Sequence, residues 1–229
     1  MQCIVVILLT SLILVGCTPM ANKELEEELA AKNEIIGYLE QEKKDLESRI
    51  VVLETEIDKQ AGQNSNLIDT ALTVVQLLKE KDMEALAKYI HTYKGVRFSP
   101  YGNVEEDNNQ LFNSSQVASL LDSTQIYTWG SYDGTGDPID LNFGDYYNKF
   151  IYDKDFASPH IIGNNVIIGK GNTVNNISDV YRNGEFIEFH LTGFNPQFEG
   201  MDWESLRLVF ENDNGSWYLV GIIHDQWTI

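Results

Sequence analysis

The apolar positions change their spacing three times along the chain. Ile4 to Val15 is a nearly continuous apolar run. From Asn22 to Gln60 the apolar residues return every three or four positions. With Leu29, Ile36, Ile50 and Ile57 at heptad position a, Leu25, Leu39, Leu46 and Leu53 fall at position d. Beyond Asn66, helical spacing comes first and strict alternation last, so short helices precede a run of strands.

The middle segment predicts a coiled-coil helix over 22–60. Only Lys32 and Lys43 interrupt its seam, and Asn22 and Gln60 form polar ends. Isoleucine at a with leucine at d favours a parallel two-stranded coil. There is no proline, and Gly37 costs about 1 kcal/mol relative to alanine. Glu28–Lys32, Glu40–Lys44 and Asp45–Arg49 are spaced to support the helix internally. The flanking positions are mostly glutamate, so Glu42 would face Glu47 across a parallel pair, whereas Arg49 and Glu54 would attract. The expected product is a dimerising stalk of about 58 Å. The alternatives are a single solvated helix or one folded onto its own domain. Ala61-Gly62-Gln63-Asn64-Ser65 reads as a helix-ending hinge, residues 61–65.

Residues 66–229 suffice for one domain with its own core. Leu67, Ile68, Ala71, Leu72, Val75 and Leu78 predict a first helix. Lys79-Glu80-Lys81-Asp82 breaks it, and Asp82 is placed to cap a second helix using Met83, Leu86, Ala87 and Ile90. A third short helix is expected after Ser114-Ser115, and a fourth over Asp145–Tyr152, capped from Asn142. Gln125–Tyr132, Glu185–Leu191, Leu206–Glu211 and Trp217–His224 read as strands. In the second, Ile187, Phe189 and Leu191 share one face, and Phe186, Glu188 and His190 the other. Leu206, Leu208 and Phe210 alternate with Arg207, Val209 and Glu211 in the same way. Asn212-Asp213-Asn214-Gly215 is a strong hairpin turn. Helices followed by an antiparallel meander indicate an α+β domain.

The first apolar run ends in Leu14-Val15-Gly16-Cys17, which reads as a lipobox. Spanning a bilayer would need about 20 apolar residues, and Thr18-Pro19 with Lys23-Glu24 stops the run short. Residues 1–16 are therefore expected to be a signal peptide, with Cys17 lipidated by palmitate-type chains and 17–21 a tether. Met1-Gln2-Cys3 departs from the pattern in lacking a basic residue. Two or more acyl chains would hold the protein at the membrane, since each buried methylene contributes about 0.8 kcal/mol. The protein is then displayed on the extracytoplasmic face. Cys3 leaves with the signal, so the mature chain keeps one cysteine and no disulfide is available.

Charge narrows the partners. Sixteen basic against thirty-five acidic residues give a net charge of −19. Phosphate binding rests on Lys and Arg, so nucleic acid is not expected, nor is electrostatic docking on anionic lipid. A cationic partner or metal is permitted by this charge but not implied.

Motifs for chemistry are weak. His91, His160, His190 and His224 have no ligand-pair spacing, so no metal or cofactor is expected. His224-Asp225 resembles a dyad, but strand neighbours point to opposite faces, and a hydrogen-bonded strand histidine is the simpler reading. Asp133–Asp140 has the flavour of a calcium loop, yet its sixth position is Pro138 and its twelfth Gly144, which makes it a solvated turn. Gly163–Gly171 holds Gly169-Lys170 without the spacing of a phosphate loop. Asn113, Asn176 and Asn214 match glycan acceptor sequons, which a bacterial lipoprotein gives no reason to use. Trp129, Tyr132, Tyr146, Tyr147, Trp203, Trp217 and Trp227 offer stacking surfaces or core aromatics.

The helix, break and helix over Leu67–Ile90, followed by Gly95-Val96-Arg97-Phe98-Ser99-Pro100-Tyr101, resembles the opening of the nuclear-transport-factor-like (SnoaL-like) cone fold. Leu206–Glu211 and Trp217–Asp225 resemble its last hairpin. The whole chain is similar to surface lipoproteins of Gram-positive bacteria that carry such a domain. The resemblance implies short helices packed on a curved antiparallel sheet around an apolar cavity, with Asn103–Val180 larger than the fold needs. It also implies a doubtful isomerase, because the first helix lacks the tyrosine that ketosteroid-isomerase-like members use. His190, Trp129 and Tyr132 are the candidate pocket residues. Three functions follow as expectations. The first is a non-catalytic module binding a small ligand or a protein. The second is an envelope enzyme using His190, His160 or nearby carboxylates. The third is a structural partner of another envelope protein through the coil.

Overall fold

The computed structural model describes residues 19–228, with side-chain detail over 23–56 and 66–228. The expected signal segment 1–16 and lipidation site Cys17 lie outside the described residues, as do the side chains of Asn22, Ile57 and Gln60. The chain divides into two compact units, Met1–Lys59 and Gln60–Ile229.

Helix α1 is assigned from Pro19 to Glu80. It is helical through Ala61–Ser65, where the sequence suggested an end; Gly62 alone offers too little to interrupt hydrogen bonding that good helix formers continue on either side. In the first unit every described side chain is exposed. Leu25, Leu29, Ile36, Leu39, Leu46, Ile50 and Leu53 are 51–69% exposed, so the apolar seam is uncovered within a single chain. Lys32 pairs with Glu28 at 2.7 Å, as its spacing predicts. Lys43, within the seam, reaches Glu47 at 3.7 Å.

In the second unit the same helix turns an apolar stripe inward. Leu67, Ala71, Val74, Val75 and Leu78 are buried, while Leu72 is 41% exposed. Lys81 takes a left-handed conformation that ends α1. Asp82 then accepts a hydrogen bond from the Ala85 amide, capping α2 (Met83–Leu86).

Among the described residues eight strands follow: β1 (Val96–Ser99), β2 (Gln110–Phe112), β3 (Ile126–Ser131), β4 (Pro138–Asn142), β5 (Ile161–Asn164), β6 (Gly184–Leu191), β7 (Glu204–Asp213) and β8 (Ser216–Gln226). Six form one sheet in the order β2-β1-β8-β7-β6-β5, and β3 with β4 forms a separate ribbon. The sheet is mixed rather than wholly antiparallel, because β1 runs parallel to β8. The reason is chain direction: β1 comes straight from the helices and reaches the sheet beside a strand laid down last. Between β7 and β8, Asn214 and Gly215 supply the two positive φ angles that a two-residue turn needs. A bulge after Val209 shifts register by one residue, inserting Val220.

Helices α3 (Ser114–Val117), α4 (Phe143–Phe150) and α5 (Ile177–Val180) and short 3-10 turns complete the described elements, with α4 starting two residues earlier than expected. Asn142 caps α4 by accepting from the Asp145 amide. One face of the sheet meets α1 and α4 through a core in which Trp129, Tyr146, Phe98, Phe143 and Phe150 are essentially fully buried. The opposite face is covered by the segment after β5, where Ile177, Tyr181, Phe186, Val209, Val220 and Ile223 form a second cluster.

Candidate functional site

The three expected pocket residues do not share a pocket. Trp129 fills the interior, stacked on Tyr146 with ring centroids 3.8 Å apart, and donates its indole N–H to the Leu141 carbonyl at 2.9 Å. His190 lies on the far side of the sheet from that core, where its Nδ1 meets Ser205 Oγ at 2.8 Å. Tyr132 lines an open groove, and His190 lines a separate, smaller depression with Ile168, Thr192 and Trp203. The reason is phase: on β6, His190 belongs with Glu188 and Phe186, the set that turns away from the main helices.

The groove has a volume of about 730 Å3 and is bounded by the Pro100–Asn109 loop, the β3–β4 turn and residues 172–174. Tyr101 and Tyr132 supply its aromatic walls; Asn103, Glu105 and Asp133 supply acceptors. Its frame hangs on buried Asn109, whose side-chain oxygen accepts from Ser99 Oγ and the Glu105 amide, both at 2.8 Å. The Asn109 amide group donates in turn to the Trp129 carbonyl at 3.2 Å. Gly130, Gly134 and Gly136 have positive φ, which lets the facing turn curve around the opening. Lys149 lies 4.4 Å above the Tyr132 ring and donates to its hydroxyl at 3.2 Å. The acid-rich Asp133–Asp140 segment is a turn leading into β4, with Asp133 accepting from Thr173 and Thr228.

A second polar site lies on the outer face of the sheet. Arg207 is fully buried. Its Nε donates to Glu188 at 3.0 Å, its Nη1 to Asp225, and its Nη2 to the Gly169 carbonyl at 2.9 Å. Glu188 also accepts from the Ile168 and Gly169 amides at 2.9 and 2.8 Å and from Ser205 Oγ at 2.7 Å. Ser205 spends its proton on Glu188, so His190 Nδ1 is the donor to Ser205. Burial pushes the Glu188 carboxyl up, but Arg207 and these donors hold it below the usual carboxylate range. Asp225 has fewer donors, and burial raises it despite Arg207.

A third site lies on the inner face, built from three elements. Asp153 follows α4, Glu204 opens β7, and His224 stands near the end of β8. His224 is fully buried, held edge-on by the rings of Phe150 and Phe156. Its Nε2 lies 3.4 Å from Asp153 Oδ1 and 4.0 Å from Glu204 Oε2. All three of these atoms are buried without a hydrogen-bond partner. Lys154 stands outside, 2.9 Å from Glu204 Oε1 and 3.8 Å from Asp153 Oδ2. Burial and the neighbouring Asp153 push the Glu204 carboxyl up to about 7. Burial opposes ionisation of Asp153 too, but His224, Glu204 and Lys154 hold it well below its ordinary value. His224 is lowered by burial and raised more strongly by Asp153 and Glu204.

No ligand-pair spacing marks this cluster, since its members are separated by 20 residues or more along the chain. His224 is the hydrogen-bonded strand histidine the sequence suggested, its Nδ1 3.3 Å from the Pro100 carbonyl, and its other nitrogen faces two acids. His224 and Asp225 do face opposite sides, yet each meets acids from other elements. His160 is exposed, its Nδ1 on Thr192 Oγ1 at 2.8 Å. Among the described residues, no helix is long and apolar enough to cross a membrane. No protein-family model matches the sequence, and no match is found among curated proteins.

Proposed function

We propose that this chain is an extracytoplasmic lipoprotein, anchored through acylated Cys17, that presents a small-ligand-binding α+β domain on a self-associating helical stalk. The observation that carries the binding reading is the groove between Tyr101 and Tyr132, open to solvent yet framed by the fully hydrogen-bonded Asn109. Its acceptor-rich lining suits a small polar molecule that presents N–H or O–H donors, with the tyrosines stacking on its flat part.

The remaining parts of the reading rest on sequence. Leu14–Cys17 supports the anchor, which would need no spanning helix. The uncovered seam from Leu25 to Leu53 supports a parallel coil, because a lone helix would leave those side chains in water. The helix-break-helix opening and the closing hairpin support a nuclear-transport-factor-like cone. The domain acts as a binding module rather than an enzyme on this reading: His160 and His190 lie away from the groove and are hydrogen-bonded to Thr192 and Ser205. Nucleic acid does not fit a net charge of −19.

The test is native mass spectrometry of the full chain, extracted from membranes in mild detergent. The expected spectrum carries acyl chains on Cys17 and a reproducible small adduct. Replacing Tyr132 with Ala should remove the adduct, and Cys17→Ser should release the protein from the membrane fraction. An unacylated Cys17 in the membrane fraction overturns the anchor. An adduct that survives Tyr132→Ala overturns the groove.

A further inference from the structure

The geometry points to a divalent transition-metal site, of the zinc or manganese class, formed by Asp153, Glu204 and His224. One ligand atom from each lies within 4.8 Å of the other two. The His224–Asp153 and His224–Glu204 separations of 3.4 and 4.0 Å are those of donors that share an ion about 2.1 Å from each.

The decisive observation is the orientation of His224. Its Nδ1 donates toward the Pro100 carbonyl at 3.3 Å, which leaves Nε2 as the nitrogen an ion would take, in exchange for any proton held there. A ligating histidine is fixed in the same way, its second nitrogen donating to a carbonyl or carboxylate. Nε2 then points, fully buried and unpartnered, between two carboxylate oxygens that are unpartnered as well. Three potential donor atoms converge beside the Phe150 and Phe156 rings, and a cation at their centre would give each of them a partner.

Lys154 sorts the carboxylate oxygens. It stands by the outer oxygen of each acid, Glu204 Oε1 and Asp153 Oδ2, and leaves the inner ones facing His224. One imidazole and two carboxylates form a mixed set, which suits zinc or manganese better than the all-oxygen shells of calcium and magnesium. Three protein ligands leave a coordination position open, beside acids whose side chains remain 16% and 13% exposed. This site is separate from the groove and does not depend on the binding function assigned there.

The experiment is isothermal titration of the metal-stripped full chain with zinc chloride and, separately, manganese chloride, paired with thermal melts. The expected result is one saturable ion per chain and a higher melting temperature with the ion bound. Asp153→Asn and Glu204→Gln keep shape and partial exposure, so they should fold; each should weaken binding at least the 10- to 100-fold seen for changes to supporting residues around metal sites. His224→Ala should abolish binding, but its burial makes the two milder variants the deciding ones. Absence of saturable binding of both ions overturns the assignment. So does binding undiminished in the Asp153→Asn/Glu204→Gln double variant, which would place the ion on the acidic surface elsewhere.

Discussion

His224 and Asp225 are consecutive on β8 and end in two different buried polar sites, one on each face of the sheet. The imidazole faces Asp153 and Glu204 beside the main core. The carboxylate receives Arg207 beneath the segment that follows β5. The pleat of one strand thus separates by a single residue two groups of charges that would otherwise merge.

Arg207 is the keystone of the outer site. Truncating it leaves Glu188 and Asp225 buried without their cation, and breaking such a pair costs about 3–5 kcal/mol. Arg207→Ala should therefore lower the unfolding free energy by that amount, read as a lower midpoint at unchanged slope in urea or guanidinium titrations.

His190 sets an acid limit. Burial lowers it from its ordinary 6.5; the Glu188 charge opposes this, and Arg207 and His160 add to it. A base depressed in the fold contributes stability above 6.5, and that contribution is lost as pH falls below 6.5. One such group changes stability by at most about 1.4 kcal/mol per pH unit. His190→Gln should flatten the stability profile between about pH 6.5 and 5, measured by melts in matched buffers. An unchanged slope would contradict the assignment.

Gly169 has no room for a side chain. A Cβ there would come within 2.4 Å of the Trp203 ring and 2.7 Å of Ser205 Oγ. Gly169→Ala should destabilise by about 1–3 kcal/mol, as overpacking does. It should also raise hydrogen exchange at the Ile168 and Gly169 amides, which bind Glu188.

Trp129 is a core side chain. Its replacement by Ala should cost about 3–5 kcal/mol of folding stability, whereas removal of Tyr132 at the groove should cost much less. The comparison of the two melts separates packing from lining.

The stalk makes a simple prediction. Ile36→Asp with Ile50→Asp places charge in the seam and should convert a sedimenting dimer of the full chain into a monomer in mild detergent. The melting of the Gln60–Ile229 unit should be unaffected.

Much of the fold was legible because strand alternation and capping are local. The phase of Leu206, Leu208 and Phe210 grouped them on one face, which the structure turns to the main core, and Asn142 and Asp82 marked helix starts. Extended by one step, the same phase puts Glu204 inward, and that was the available signal for the inner site. Its partner Asp153 carried none, since its position depends on how α4 ends. The Glu188–Arg207 pair was readable in principle from two outward phases on adjacent strands. What β1 does was not readable, because a parallel neighbour is chosen by the chain's path rather than by its own residues. The pocket residues failed for a related reason: type marks an aromatic as large, and only packing tells whether it is wall or filling.

Pro100, Tyr101 and Gly102 touch all three sites. Pro100 receives His224 through its carbonyl, Gly102 would drive any Cβ to within 2.8 Å of Asp225, and Pro100 and Tyr101 form one wall of the groove. A ligand that displaces this tripeptide alters the imidazole's anchor and the room beside the carboxylate in one movement. Three consecutive residues after β1 are therefore shared ground, so a change made to one site is felt in the walls of the other two.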